Sequence, residues 1–104
     1  MSEIKRRLIQ AVWNRRVIAE SRDTIVMEGY QYFPAESIKA EFFKDSETTS
    51  ICKWKGESHY KHLVVDGRIN HDAAWYYPSP KPAAQEIAGY YAFWRGVQVG
   101  PALK

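Results

Sequence analysis

Leu63-Val64-Val65-Asp66-Gly67-Arg68-Ile69 decides the fold. Asp-Gly between apolar flanks is the strongest short-range hairpin signal, because a two-residue type I′ turn needs positive φ at both central positions. Gly67 supplies that conformation without steric cost. So short a turn also fixes register. Counting outwards, Val65 faces Arg68, Val64 faces Ile69, Leu63 faces Asn70, His62 faces His71 and Lys61 faces Asp72.

Other strands read outwards from this hairpin. Val12-Trp13-Asn14-Arg15-Arg16-Val17-Ile18 places β-formers around an Asn-led pair. Arg15 would hold a positive φ where Gly is usual, which leaves a longer turn open. Ser21-Arg22-Asp23 reads as a turn and Thr24–Glu28 as a strand closed by Gly29. Pro34–Ser37 suits one helical turn. After it Ile38, Ala40 and Phe42 alternate with Lys39 and Glu41, predicting a half-buried strand over a competing helix at 35–44. Asp45-Ser46-Glu47 reads as a turn into Thr48–Lys53, which is rich in β-branched residues. Pro78, Pro80 and Pro82 predict an extended loop, since none can donate to a ladder. Residues 83–88 predict a short helix between Pro82 and Gly89, and 90–95 a last long strand. The expected fold is mainly β, a compact antiparallel barrel-like or two-sheet domain with one short helix.

Length and composition bound the rest. A chain of 104 residues reads as a single domain over 1–104, able to bury about two-thirds of its unfolded surface without a disulfide or metal. Residues 1–22 carry a net charge of +4 and residues 23–104 carry −1, so the basic character is N-terminal. Residues 1–7 read as a flexible basic N-terminus. Nucleic-acid binders spread basic residues along a binding face, and this distribution argues against one. MSEIKRRLIQ lacks an apolar signal region, and no apolar run approaches the ~20 residues of a membrane span. Cys52 is the only cysteine, which excludes an internal disulfide and any CxxC motif. The expectation is a cytoplasmic protein with no membrane association.

Aromatic residues make up 14% of the chain, with four Trp and seven Tyr. Tyr and Trp combine apolar bodies with polar tips and suit the mouth of a pocket. Trp54, Lys55, Tyr60, Trp75 and Tyr76 are the candidate ligand-binding set, the rings enclosing a small molecule and Lys55 engaging an anionic group. Three residues are weaker catalytic candidates. Cys52 lies beside Lys53 and Lys55, which would favour a thiolate. His62 and His71 form a cross-strand pair that could act as base or half a metal site. Against this, a free Cys is most often a small packed hydrophobe, and two histidines alone do not close a metal site. No metal is assigned, and neither cofactor nor oligomeric state is legible.

Several motifs in order carry a resemblance. Glu28-Gly29, Tyr32-Phe33-Pro34, Glu36-Ser37, Cys52-Lys53-Trp54-Lys55-Gly56 and Val65-Asp66-Gly67 come first. Asp72-Ala73-Ala74-Trp75-Tyr76-Tyr77-Pro78, Lys81-Pro82-Ala83-Ala84, Ile87-Ala88-Gly89 and Phe93-Trp94 follow. Across roughly residues 10–99 the chain resembles the bacterial domain-of-unknown-function family 427. The resemblance implies a stand-alone, cytosolic, mostly β domain of unestablished biochemistry. The family bears a nucleotidyltransferase-like label, but this sequence has no Gly-Ser followed by paired acids, and its one acid-x-acid pair is Asp45-Ser46-Glu47. An uncharacterised small-molecule-binding domain, with catalysis undecided, is the leading functional reading. A non-catalytic module that holds a protein or nucleic-acid partner through the basic hairpin is the alternative.

Overall fold

The computed structural model describes residues 6–102. Nine strands run in chain order as β1 Ile9–Trp13, β2 Arg16–Ser21, β3 Ile25–Met27, β4 Tyr30–Tyr32, β5 Phe43–Cys52, β6 Gly56–Val65, β7 Arg68–Tyr76, β8 Tyr91–Phe93 and β9 Gln98–Pro101. They form three antiparallel sheets, ordered β2-β1-β9, β3-β4 and β5-β6-β7-β8. The mainly β reading holds, but among the described residues no sheet closes into a barrel. After β8 the chain turns at Arg95-Gly96 and β9 pairs with β1 instead of β5, so β5 remains an outer edge.

Both hairpin signals form two-residue turns. Asp66 and Gly67 have φ of 49° and 79°, and Asn14 and Arg15 have 50° and 67°. Asn14 is further fixed by donating its side-chain N–H to the Val65 carbonyl at 3.0 Å, which ties the first hairpin to the second. A third pair, Glu28 and Gly29 with φ of 52° and 83°, joins β3 to β4. This ribbon is held against the four-stranded sheet by paired backbone bonds between Phe33 and Tyr91 at 2.7 and 2.8 Å.

Three local expectations are corrected. The alternation at 38–42 is not a strand: Ile38 makes one bridge to Ala19, and Ala40–Phe42 is a 3-10 turn. Ala40 is exposed, so only Ile38 and Phe42 pack on the core, a spacing that a turn serves as well as a strand. Asp45-Ser46-Glu47 is no turn but part of a bulge inside the ten-residue β5. The short helix expected near 83–88 is present, as a kinked 3-10 segment, Pro82–Ile87, in which Ala84 leaves helical geometry. Six residues are too few to repay α-helix nucleation, and 3-10 turns are usual in short connectors. The strand expected over 90–95 covers only Tyr91–Phe93, and it is not the last, since β9 follows it. Of the expected flexible N-terminus, residues 1–5 lie outside the described residues. Arg6 pairs with Asp23, and its carbonyl accepts from Arg22.

Two clusters form the interior. The first gathers Ile9, Ala11, Ile18, Ala19, Phe33, Leu63, Val65, Ala73, Ala74 and Phe93, from both larger sheets. The second gathers Tyr32, Trp75, Tyr77, Ala84, Ile87 and Ala92. Strand alternation accounts for the neighbours that part between them, Ala74 from Trp75 and Ala92 from Phe93, since adjacent side chains of a strand point to opposite faces. Phe33 joins the first cluster and Tyr32 the second.

Candidate functional site

The register of β6 against β7 sets Tyr60 directly opposite Trp75. On the far side of β6, Ser58 faces Ser50 of β5. Period-two alternation in β4 places Tyr30 and Tyr32 on one face, and both meet the Trp75 indole nearly edge-on, at 4.9 and 6.4 Å between ring centroids. Trp94 completes the set, perpendicular to Trp75 at 5.6 Å and tilted against Tyr60 at 6.4 Å. Edge-to-face contacts of this kind align the positive ring edge with the negative ring face. The rings and the two serines line an open recess of about 190 Å³.

Lys55 and Tyr77 complete its lining. Lys55 sits in the tight turn between β5 and β6 and is only 6% exposed. Its carbonyl accepts the Lys81 N–H at 2.8 Å, which anchors the turn on the proline loop. An ammonium removed from water needs compensation. Here the half-exposed carboxylate of Glu28 pairs with it, and it lies 5.1 Å from the Trp54 ring centre and 5.6 Å from that of Tyr77. Burial, the largest influence on Lys55, works against its charge. The Glu28 hydrogen bond and the Tyr32 and Tyr77 oxygens outweigh it and hold the pKa above the ordinary lysine value. Lys55 is therefore a cation at neutral pH and not a free amine nucleophile. Burial pushes the Tyr32 hydroxyl pKa up, against the opposite pull of its bond from Trp75 Nε1 at 3.3 Å. Tyr77 is raised for the same first reason.

Residues 2–100 match the family described as a domain of unknown function (DUF427). The chain belongs to that family. No curated protein matches it.

Of the five ligand-binding candidates, this DUF427 chain brings Lys55, Tyr60 and Trp75 to the recess. Trp54 does not line it, although its ring centre lies 5.1 Å from the Lys55 ammonium. Tyr76 turns to the other face of β7, as alternation requires beside Trp75, and stacks on Tyr91 at 4.8 Å and His59 at 5.8 Å. Sequence reading missed Glu28, Tyr30, Tyr32, Tyr77 and Trp94. Tyr77 was within reach, because it shares the parity of Trp75. The others depend on how β4 and the end of β8 meet the sheet, which no local pattern encodes.

The catalytic candidates do not assemble into one centre. Cys52 is half-buried against the second cluster and faces Gly56 in the ladder, whereas His62 lies six residues further along β6, about 20 Å at strand rise. His62 and His71 do meet, ring centres 5.0 Å apart and nearly perpendicular. Among the described residues no three His, Cys, Asp or Glu side chains are grouped to hold a metal ion.

The expected register fails just beyond this pair. Between Leu63↔Asn70 and Lys61↔Ala74, residues 71–73 of β7 oppose His62 alone. Lys61 therefore pairs with Asp45 and not with Asp72. Asp72 takes φ of 52°, its N–H donates to His62 Nδ1 at 3.0 Å, and its carbonyl accepts Trp94 Nε1 at 2.6 Å. Asp and Asn tolerate this left-handed geometry better than most residues. Its carboxylate accepts the hydroxyls of Ser46 and Thr48 at 2.5 and 2.8 Å. Those residues sit in the matching bulge of β5, where 46–48 oppose Tyr60. The two bulges thus clasp across β6, and the clasp fixes the Trp94 wall of the recess. Burial of Asp72 opposes ionisation, but the Ser46 and Thr48 bonds, with His62 and Arg95, hold its pKa below the ordinary value.

Proposed function

We propose that this domain binds a small molecule in the aromatic recess, with Lys55 engaging an anionic group of the ligand. One observation carries the reading: a charged, nearly buried ammonium stands in the wall of an open recess otherwise made of aromatic rings and hydroxyls. Such a site combines apolar enclosure with few convergent polar groups, the usual chemistry of a small-molecule pocket. The alternative, a basic-hairpin interaction module, has less support, since Arg16 already pairs with Asp66 and Arg6 with Asp23.

A thermal-shift screen against a broad panel of metabolites tests the proposal, because a ligand that binds the folded state raises Tm by mass action. The expected hit also changes tryptophan fluorescence, as Trp75 and Trp94 line the recess, and weakens when Trp94 is replaced by Leu. Hits that ignore Trp94→Leu, or a panel without any stabilising compound, count against it.

A further inference from the structure

Resting on that reading, we propose that the recess takes a single-ring aromatic carboxylate, and that Glu28 holds the place on Lys55 that the ligand's carboxylate takes. Size sets the ring count. An apolar cavity of about 150 Å³ admits benzene. The 190 Å³ here encloses one ring with a small substituent, and the rest of a nucleoside or a fused polycycle would stand out in solvent, away from the ring walls. The perpendicular walls of Trp75, Trp94 and Tyr30 favour a flat ring, which can present its edge to one wall and its face to the next.

Charge sets the substituent. Among the described residues Lys55 is the single cation lining the recess, and Arg95 packs its guanidinium on the Trp94 ring at 4.6 Å and does not line it. One ammonium with three donors matches a monoanion better than a phosphate, which carries nearly two charges at neutral pH.

Glu28 shows where that monoanion sits. It occupies the first position of a two-residue turn at φ of 52°, a conformation that Asn, Asp or Gly adopts far more readily than Glu. What Glu offers there is reach, for its carboxylate extends to Lys55. That carboxylate is half-exposed and loses little by moving into water, whereas Lys55 is buried and must keep an anion beside it. An exchange of carboxylates, Glu28 outward and ligand inward, keeps the ammonium paired throughout.

Titration of the full chain with benzoate and with benzamide, followed by tryptophan fluorescence and calorimetry, tests this. Benzoate is expected to bind at least about tenfold more tightly than its neutral amide, the difference that one charge-assisted contact supplies. Glu28→Gln is expected to tighten benzoate and leave benzamide unchanged. If Glu28 holds the ammonium nine-tenths of the time, the gain is about tenfold. Glu28→Gly, which suits the turn, repeats the measurement should the glutamine variant fold poorly. Equal affinities for the two probes, or benzoate binding that weakens or stays constant without the Glu28 carboxylate, overturn the inference. Should neither probe bind while compounds of another class raise Tm, the inference fails and the ligand-binding reading stands. A panel with no stabilising compound removes both.

Discussion

Removing either partner of the Glu28–Lys55 pair breaks the same contact, yet the two substitutions differ in cost. Glu28→Gln leaves a nearly buried ammonium with only the faces of Trp54 and Tyr77 for compensation. Removing one partner of a fully buried ion pair costs about 3–5 kcal/mol, and because Glu28 is half exposed to solvent the expectation here is discounted to about 1–2 kcal/mol. At about 4–8 °C per kcal/mol for a domain of this size, Tm falls by roughly 4–16 °C. Lys55→Met keeps a similar stem against the same two rings, frees Glu28 to face water and removes the need to bury a charge. Replacing a buried ion by an apolar side chain of similar volume is often neutral or stabilising, so this change stays within about 1 kcal/mol. The double variant should be as stable as Lys55→Met alone, giving a coupling of about 1–2 kcal/mol. Urea unfolding followed by tryptophan fluorescence measures all three. Lys55→Met proving costlier than Glu28→Gln, or additive single changes, would refute the reasoning.

Three further outcomes are expected. Arg15→Gly should raise stability by about 0.5–1 kcal/mol in urea unfolding, because Arg15 is exposed and holds a φ of 67° that glycine adopts freely. The Asp72 pKa is lowered on folding, so its contribution is present above the unfolded value of 3.8 and disappears as pH falls below it. Stability curves of the native chain and Asp72→Asn should therefore converge between about pH 4 and pH 2. Lys55 has the opposite sign: its pKa is raised above 10.5, and its contribution persists to that pH and is lost above it. Lys55→Met should accordingly flatten the alkaline limb of thermal unfolding curves.

The parts of this fold that were legible are those set by neighbours in the chain. Asp66-Gly67 gave the β6–β7 hairpin and its first three pairings, down to Leu63 opposite Asn70. Legibility stopped at His62, where two extra residues of β7 enter. The clue was an Asp, a residue at ease with left-handed backbone, but nothing in His71-Asp72-Ala73 requires a bulge there. A third of the residues lining the recess followed the same pattern. Lys55, Tyr60 and Trp75 belong to one contiguous stretch of chain and could be named together. Tyr32 reaches Trp75 across 43 positions, and Glu28 reaches Lys55 only because Phe33 pairs with Tyr91. Those contacts come from long-range pairing, for which local propensity carries no information.

The clasp over β6 also bears on how the chain keeps to itself. An outer strand offers a row of unpaired N–H and C=O groups, and a long straight row is a template for recruiting another chain. β5 is ten residues long and lies at such an edge. Its bulge divides the row into Phe43–Asp45 and Thr49–Cys52, with Ser46 and Thr48 drawn inward onto Asp72. An incoming strand would keep register for three or four residues before the row bends away. The two hydroxyls that steady one wall of the recess thus also blunt the edge most exposed to self-association.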